Sequence, residues 1–182
     1  MENSGKRLFI GLELPGSLQR LLARLTTDLP GARWHLPQDL HITVRFLGQL
    51  DPVRQQDIHQ LLKQSAITPF SLQVSGIGHF DQRILWAGLA PSPSLQAMKQ
   101  QLDQSLQALN LPAEMHDYHP HITLARIRAG HQSSLNDFVE AHHELALPAW
   151  GVTHVSLFES RNNGQGRYHV LGRYPLRQPH HA

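Results

Sequence analysis

Two tripeptides in this chain carry the residue types that proton transfer needs: His41-Ile42-Thr43 and, far along the sequence, His121-Ile122-Thr123. An unperturbed imidazole titrates near about 6.5, so one of a pair can take a proton while the other gives one. Side chains two apart on a strand share a face, which sets His41 beside Thr43 and His121 beside Thr123. If both strands line one groove, two imidazoles and two hydroxyls surround a small anion. That arrangement suits displacement at phosphorus with no metal required, the threonines donating hydrogen bonds to the non-bridging oxygens where transition-state charge resides. Two arginines are candidates for a further contact with the anion. Arg45 has the parity of Thr43, whereas Arg126 has the wrong parity for the His121 face and needs a bulge or a strand end to reorient it. One His-x-Thr in an apolar strand commonly reports only a packed imidazole beside a β-favouring threonine. Two copies in register reverse that inference.

The surrounding sequence repeats as well. Leu8-Phe9-Ile10-Gly11-Leu12 aligns with Leu85-Trp86-Ala87-Gly88-Leu89, and Ser17-Leu18-Gln19 with Ser94-Leu95-Gln96 at the same offset. The two His-Ile-Thr segments follow at a slightly larger offset, as do Asp57-Ile58 and Asp137-Phe138, and each copy closes on a similar phrase, Phe80-Asp81-Gln82-Arg83 and Phe158-Glu159-Ser160-Arg161. A duplication is the economical reading, with copies over about 7–80 and 84–161 and a closing strand over 167–174. Leu18, Leu21, Leu22 and Leu25, and likewise Leu95, Met98, Leu102, Leu106 and Leu109, recur at helical spacing. The runs His41–Leu47 and His121–Ile127 are apolar, β-branched and preceded by proline-containing turns, which predicts strands. Asp51–Ala66 and Ser133–Leu145 read as helices, and Phe70–Ile77, Val152–Phe158 and Arg167–Tyr174 as strands. The repeat is too short for a doubly wound parallel sheet. The expected fold is therefore α+β: a single internally duplicated domain over 1–182, bilobal, with two largely antiparallel sheets facing a central groove and helices outside.

Composition narrows the chemistry. The 182 residues include no cysteine, which removes disulfides, thiolate nucleophiles and cysteine-ligated metal. Sixteen basic residues against fourteen acidic ones leave a net charge of +2, compatible with a polyanionic partner. The fourteen histidines are numerous, yet pairs such as His142-His143 and His180-His181 lie in polar or terminal stretches that favour solvated imidazoles. His116, His119 and His121 cluster in sequence, but strand parity joins only the last two, and no carboxylate has ligand spacing, so no metal is expected. No glycine-rich phosphate loop occurs, Asn162-Asn163-Gly164-Gln165-Gly166 reading as a flexible turn, and no cofactor is expected. The polar start lacks export and transit patterns, and no apolar run approaches the roughly 20 residues of a membrane span. A cytoplasmic monomer is expected.

The stretch from Trp34 to Gly48, with His119-Pro120-His121-Ile122-Thr123-Leu124-Ala125-Arg126, resembles the two-histidine phosphoesterase superfamily, and within it the LigT-like RNA 2′,3′-cyclic phosphodiesterases, also called the 2′-5′ RNA ligase family. The opening Arg7–Pro15 and the closing Leu157-Phe158-Glu159-Ser160 are similar to it too, so the resemblance spans essentially the whole chain. It implies hydrolysis of a 2′,3′-cyclic phosphate at an RNA end, or on a small cyclic nucleotide, to a 2′-phosphomonoester, with a reversible 2′-5′ joining activity. It implies His41 as proton donor to the leaving ribose oxygen, His121 as proton acceptor from water, Thr43 and Thr123 on the phosphate, Phe46 against base or ribose, and Arg126 as a basic contact. Arg45 departs from the family pattern. Aromatic residues flanking strands, Trp34 and Phe46 here, commonly supply buried area instead. A groove of this kind that binds an RNA end or nucleotide without turnover is the alternative reading.

Overall fold

A computed structural model describes residues 5–161 and 167–178; the 162–166 turn and His180-His181 lie outside them. The elements run β1 (Lys6–Glu13), α1 (Gly16–Ala23), β2 (Ala32–Trp34), a 3-10 turn (Pro37–Asp39), β3 (His41–Leu50), α2 (Pro52–Gln64), β4 (Phe70–Leu72), β5 (Val74–Phe80), β6 (Ile84–Leu89), α3 (Pro93–Ala108), β7 (His121–Ile127), α4 (Gln132–Ala141), β8 (Trp150–Val152), β9 (His154–Ser160) and β10 (Tyr168–Pro175). Helix starts follow local chemistry: Asp51 caps α2 by accepting from Arg54 N, and Ser92 caps α3 by accepting from Leu95 N. Among the described residues no helix is long and apolar enough to cross a membrane.

The class is α+β, with antiparallel pairing throughout. One lobe is the ladder β10-β9-β1-β3 and the other β7-β6-β5, with β2 added beside β7. The two ladders join through one residue pair, Ile42↔Ile122, so they form a continuous sheet that splays at its middle. A second, two-stranded sheet pairs β4 with β8. The segments 70–77 and 152–158, each expected as one strand, are thus broken at Gln73 and Thr153, and the pieces serve different sheets.

The pairings exchange chain between the lobes. β5, from the first half of the sequence, pairs β6 of the second, and β9 returns to pair β1. The same exchange occurs beside the central strands: β2 packs on β7, whereas the connection after α3 reaches β3, where Tyr118 Oη donates to Thr43 O at 2.9 Å. Helix α4 stops at Ala141, short of the expected Leu145, because the following chain runs along β5: Gly76 N donates to Leu145 O and Leu147 N to Val74 O.

Helices cover the outer face, burying Leu18 and Leu22 of α1, Ile58 and Leu62 of α2, Leu95, Met98, Leu102 and Leu106 of α3, and Leu135 and Phe138 of α4. They meet the sheet residues Ile42, Val44, Ile122, Leu124 and Ala125 in one apolar cluster. Burial on this side holds the sheet against the helices and leaves its other face to the groove.

Candidate active site

The pair that joins the lobes also assembles the site. Ile42 and Ile122 are fully buried toward the helices, so their neighbours in sequence project to the groove. Continuing the Ile42↔Ile122 register sets His41 opposite Thr123 and Thr43 opposite His121. Directly opposed Cβ atoms in such a ladder stand about 5 Å apart, and the splay after this pair opens room between them. The two His-Ile-Thr tripeptides therefore meet on one face around the centre of the sheet.

Each imidazole is held by the turn before it. His41 Nδ1 donates to Asp39 O at 2.8 Å, and His121 Nδ1 to His119 O at 2.7 Å. Donation to a carbonyl requires the proton on Nδ1, so each neutral ring presents an unprotonated Nε2. Thr43 Oγ1 lies 3.1 Å from His41 Nε2. The 3-10 turn ending at Asp39 and the His119-Pro120 step thus set ring orientation.

Aromatic side chains wall both rings. His41 sits 4.9 Å from Phe9, 4.6 Å from Tyr168 and 5.5 Å from Phe158, measured between ring centroids. His121 meets Phe80 edge-on at 4.8 Å and Trp86 at 6.4 Å. Gly78 is needed under Trp86, since a Cβ there would come within 2.4 Å of the indole. Burial pushes His41 below the ordinary imidazole range, with His121 adding to the effect; the Asp39 carbonyl and carboxylate oppose it. Burial likewise lowers His121, helped by nearby His119 and opposed by the His119 carbonyl.

The arginines separate. In β3 the register slips between Ile10 and Gly11, so Val44 is an extra residue and parity reverses after it. β7 slips at the matching place, between Leu85 and Trp86, with Leu124 as the extra residue. Arg126 therefore turns to the groove face and is exposed, and Phe46, its counterpart on β3, is 61% exposed with its ring 5.9 Å from Phe9. Arg45 is corrected by the same bulge. It does not stand beside Thr43 but is buried on the helix side, donating to Asp103 Oδ1 at 2.7 Å, to Phe46 O at 3.1 Å and to Pro112 O. Trp34 also faces the helices, its ring 5.8 Å from Phe138.

Several groups here have no motif to announce them. Lys99, almost buried, bridges Asp103 at 3.2 Å and Glu114 at 2.8 Å, and Glu114 accepts from Phe46 N at 3.3 Å. This network ties α3 and the 112–118 segment to the strand that carries Thr43 and Phe46. Phe9 and Trp86 occupy matched positions of the repeat, which is the one sequence signal that singles them out. Among the described residues no three histidine or carboxylate side chains are grouped to hold a metal ion; His119 packs on Trp86 and Phe80.

The sequence pattern of the 2′-5′ RNA ligase superfamily matches residues 6–164. An RNA 2′,3′-cyclic phosphodiesterase of Methanocaldococcus jannaschii is 26% identical over 161 residues, covering 85% of this chain and 91% of that protein. A protein of the same name from Geobacillus stearothermophilus is 25% identical over 182 residues, covering 92% of this chain but only 56% of its own length. In three dimensions, E. coli LigT in its apo form superposes with a TM-score of 0.76 at 23% identity, covering 95% of this chain and 98% of that one. With its two His-Ile-Thr strands meeting at the centre of a splayed antiparallel sheet, the chain belongs to the 2′-5′ RNA ligase superfamily.

Proposed function

We propose that this protein is a phosphoric diester hydrolase that opens the 2′,3′-cyclic phosphate at an RNA end, or on a small cyclic nucleotide, to a 2′-phosphomonoester. The observation that carries the reading is the convergence of two imidazoles, each with Nδ1 tied to a carbonyl so that Nε2 is left for proton transfer, that of His41 beside Thr43 Oγ1 at 3.1 Å, around a space flanked by two threonines. In this reading His121 removes a proton from water as its oxygen bonds to phosphorus. The bond from phosphorus to the ribose 3′-oxygen breaks, and His41 protonates that oxygen. Thr43 and Thr123 donate to the non-bridging oxygens, Phe46 packs against base or ribose, and Arg126 adds a charge-assisted contact. Joining of a 2′-5′ linkage follows the same course with an RNA 5′-hydroxyl in place of water.

The assignment of roles rests on unequal surroundings. On His41, burial and the neighbouring His121 disfavour the charged form while the Asp39 carbonyl and carboxylate favour it. On His121, burial and the His119 ring disfavour it and only the His119 carbonyl favours it, so the carboxylate on the side of the charged form is found at His41 alone. The repeated element order and the exchanged strands support treating 7–80 and 84–161 as two copies within one domain.

The reading is tested by following turnover of an oligoribonucleotide ending in a 2′,3′-cyclic phosphate, in EDTA, by the wild type, His41→Ala and His121→Ala. EDTA-resistant formation of a 2′-phosphate, lowered by about 10² to 10⁴-fold in either variant, is expected. Tight binding without turnover by the wild type would establish a binding module in its place.

A further inference from the structure

Beyond the two histidines, a group of cations gathers at one end of the groove. Arg33 of β2 lies directly opposite Arg126 of β7. Its neighbour Trp34 turns to the helices, so Arg33 turns to the groove, and both arginines are exposed. Like charges directly opposed in a ladder repel each other. Among the described residues neither arginine is paired with a carboxylate. A third guanidinium, that of Arg167, approaches from the other lobe and donates to His35 Nε2 at 3.3 Å. Burial, then the charges of Arg167, Arg126, His41 and Arg33, push His35 down to about 4, so it is uncharged at neutral pH and leaves the cluster's charge to the arginines. Across the groove, the 112–118 segment that flanks β3 carries Glu114 and Asp117 instead. The one carboxylate nearby, Asp39, is buried and accepts from the backbone N–H of Arg167 at 3.4 Å, so the three guanidinium groups, each a planar fork of donors, are left to match a phosphate.

Position identifies which phosphate. A strand rises about 3.3 Å per residue, so Arg126 and its partner Arg33 stand within about 10 Å of Thr123 along β7. The phosphorus held between the histidines already has two imidazoles and two hydroxyls around it, and guanidinium groups at this distance are within side-chain reach of the next phosphate along a nucleotide chain. We propose that Arg33, with Arg126 and Arg167, binds the phosphate on the 5′-oxygen of the nucleotide that bears the cyclic phosphate, whether an internal linkage or a terminal 5′-phosphate. The inference rests on the hydrolase reading for the identity of the first phosphate.

The experiment compares three substrates sharing one terminal 2′,3′-cyclic nucleotide: with a free 5′-hydroxyl, with a 5′-phosphate, and as the 3′ half of a dinucleotide. In the wild type, kcat/KM should rise when the 5′-oxygen carries phosphate, and the rise should shrink with added salt. Arg33→Ala should cut the ratio of phosphorylated to unphosphorylated substrate about tenfold, the value of one charge-assisted hydrogen bond, with Arg33→Lys retaining part of it. A gain from the 5′-monophosphate as large as from the dinucleotide assigns the site to any 5′-phosphate, and a gain confined to the dinucleotide assigns it to the strand. An unaltered ratio in Arg33→Ala overturns the proposal. Calorimetry with the corresponding 2′-phosphate products makes the same comparison without turnover. A wild type that hydrolyses nothing yet binds the 5′-phosphorylated product through Arg33 refutes the hydrolase and keeps the site.

Discussion

The two central strands have the same backbone and different surroundings. β3 and β7 each begin at His-Ile-Thr, each bulge one residue later, and show the same order of buried and exposed side chains. After the bulge β3 offers Phe46 to the groove and β7 offers Arg126. Behind the bulge β3 buries Arg45 in an ion network, and β7 buries Ala125 against the core. Phe158 stacks on Phe9 at 4.8 Å, yet Gly78 lies under the indole of Trp86. A duplicated scaffold gives a nearly symmetric pair of imidazoles. The divergent side chains make one end of the groove aromatic and the other cationic, and a symmetric site acquires a direction.

The largest expected effect of breaking that difference is on stability. Arg45→Met would leave Asp103 with Lys99 alone and leave the Phe46 and Pro112 carbonyls without their donor. Removing one member of a buried ionic network costs about 3 kcal/mol, to be read as a lowered urea midpoint at unchanged slope. A loss below about 1 kcal/mol would mean that Arg45 is solvated in solution. A smaller effect separates the two groove residues. Phe46→Ala should raise KM about tenfold with little dependence on salt, because it removes apolar contact; Arg126→Ala should lower kcat/KM by a similar factor, and its deficit should narrow as ionic strength rises. Identical salt responses would erase the distinction between the ends.

Much of this architecture is legible in the sequence. The helical leucine spacing as far as Leu22 and Leu106, the two His-Ile-Thr strands and the closing strand lie where the sequence predicts them, because each is decided by contacts within one element, while Leu25 and Leu109 fall just beyond the ends of α1 and α3. What is decided between elements is not legible. Nothing within Phe70–Ile77 reports that Leu72 pairs Trp150 while Val74 pairs Leu89. The short strand β2 exists only because β7 has an open edge there. Arg45 is the instructive failure. Simple alternation sets it beside Thr43, but an extra residue at Val44 reverses the face, and the same bulge is what brings Arg126 to the groove. The bulge arises in pairing with β1, where a Cβ at Gly11 would come within 2.7 Å of Ile42 O, so the close approach needs glycine. Asp103, Lys99 and Glu114 were invisible for the same reason, since only packing of α3 against β3 gives Arg45 its partners.

The smallest effect concerns pH, and it probes whether the two histidines differ in kind. Both folded-state imidazoles titrate below the ordinary value of about 6.5 because burial disfavours their charged forms. The proton donor must be charged and the acceptor neutral. The profile of kcat/KM, which reports the free enzyme, should therefore peak on the acid side of about 6.5. Bound substrate brings a negative phosphate between the rings, which favours the charged imidazole, so the kcat profile should lie at higher pH than that of kcat/KM. Asp39→Asn tests the asymmetry. The Asp39 carboxylate helps His41 keep its proton, so its loss should move the alkaline limb of kcat/KM, set by the donor, further to the acid side and leave the acid limb in place. Movement of the acid limb alone would exchange the roles, making His41 the acceptor and His121 the donor.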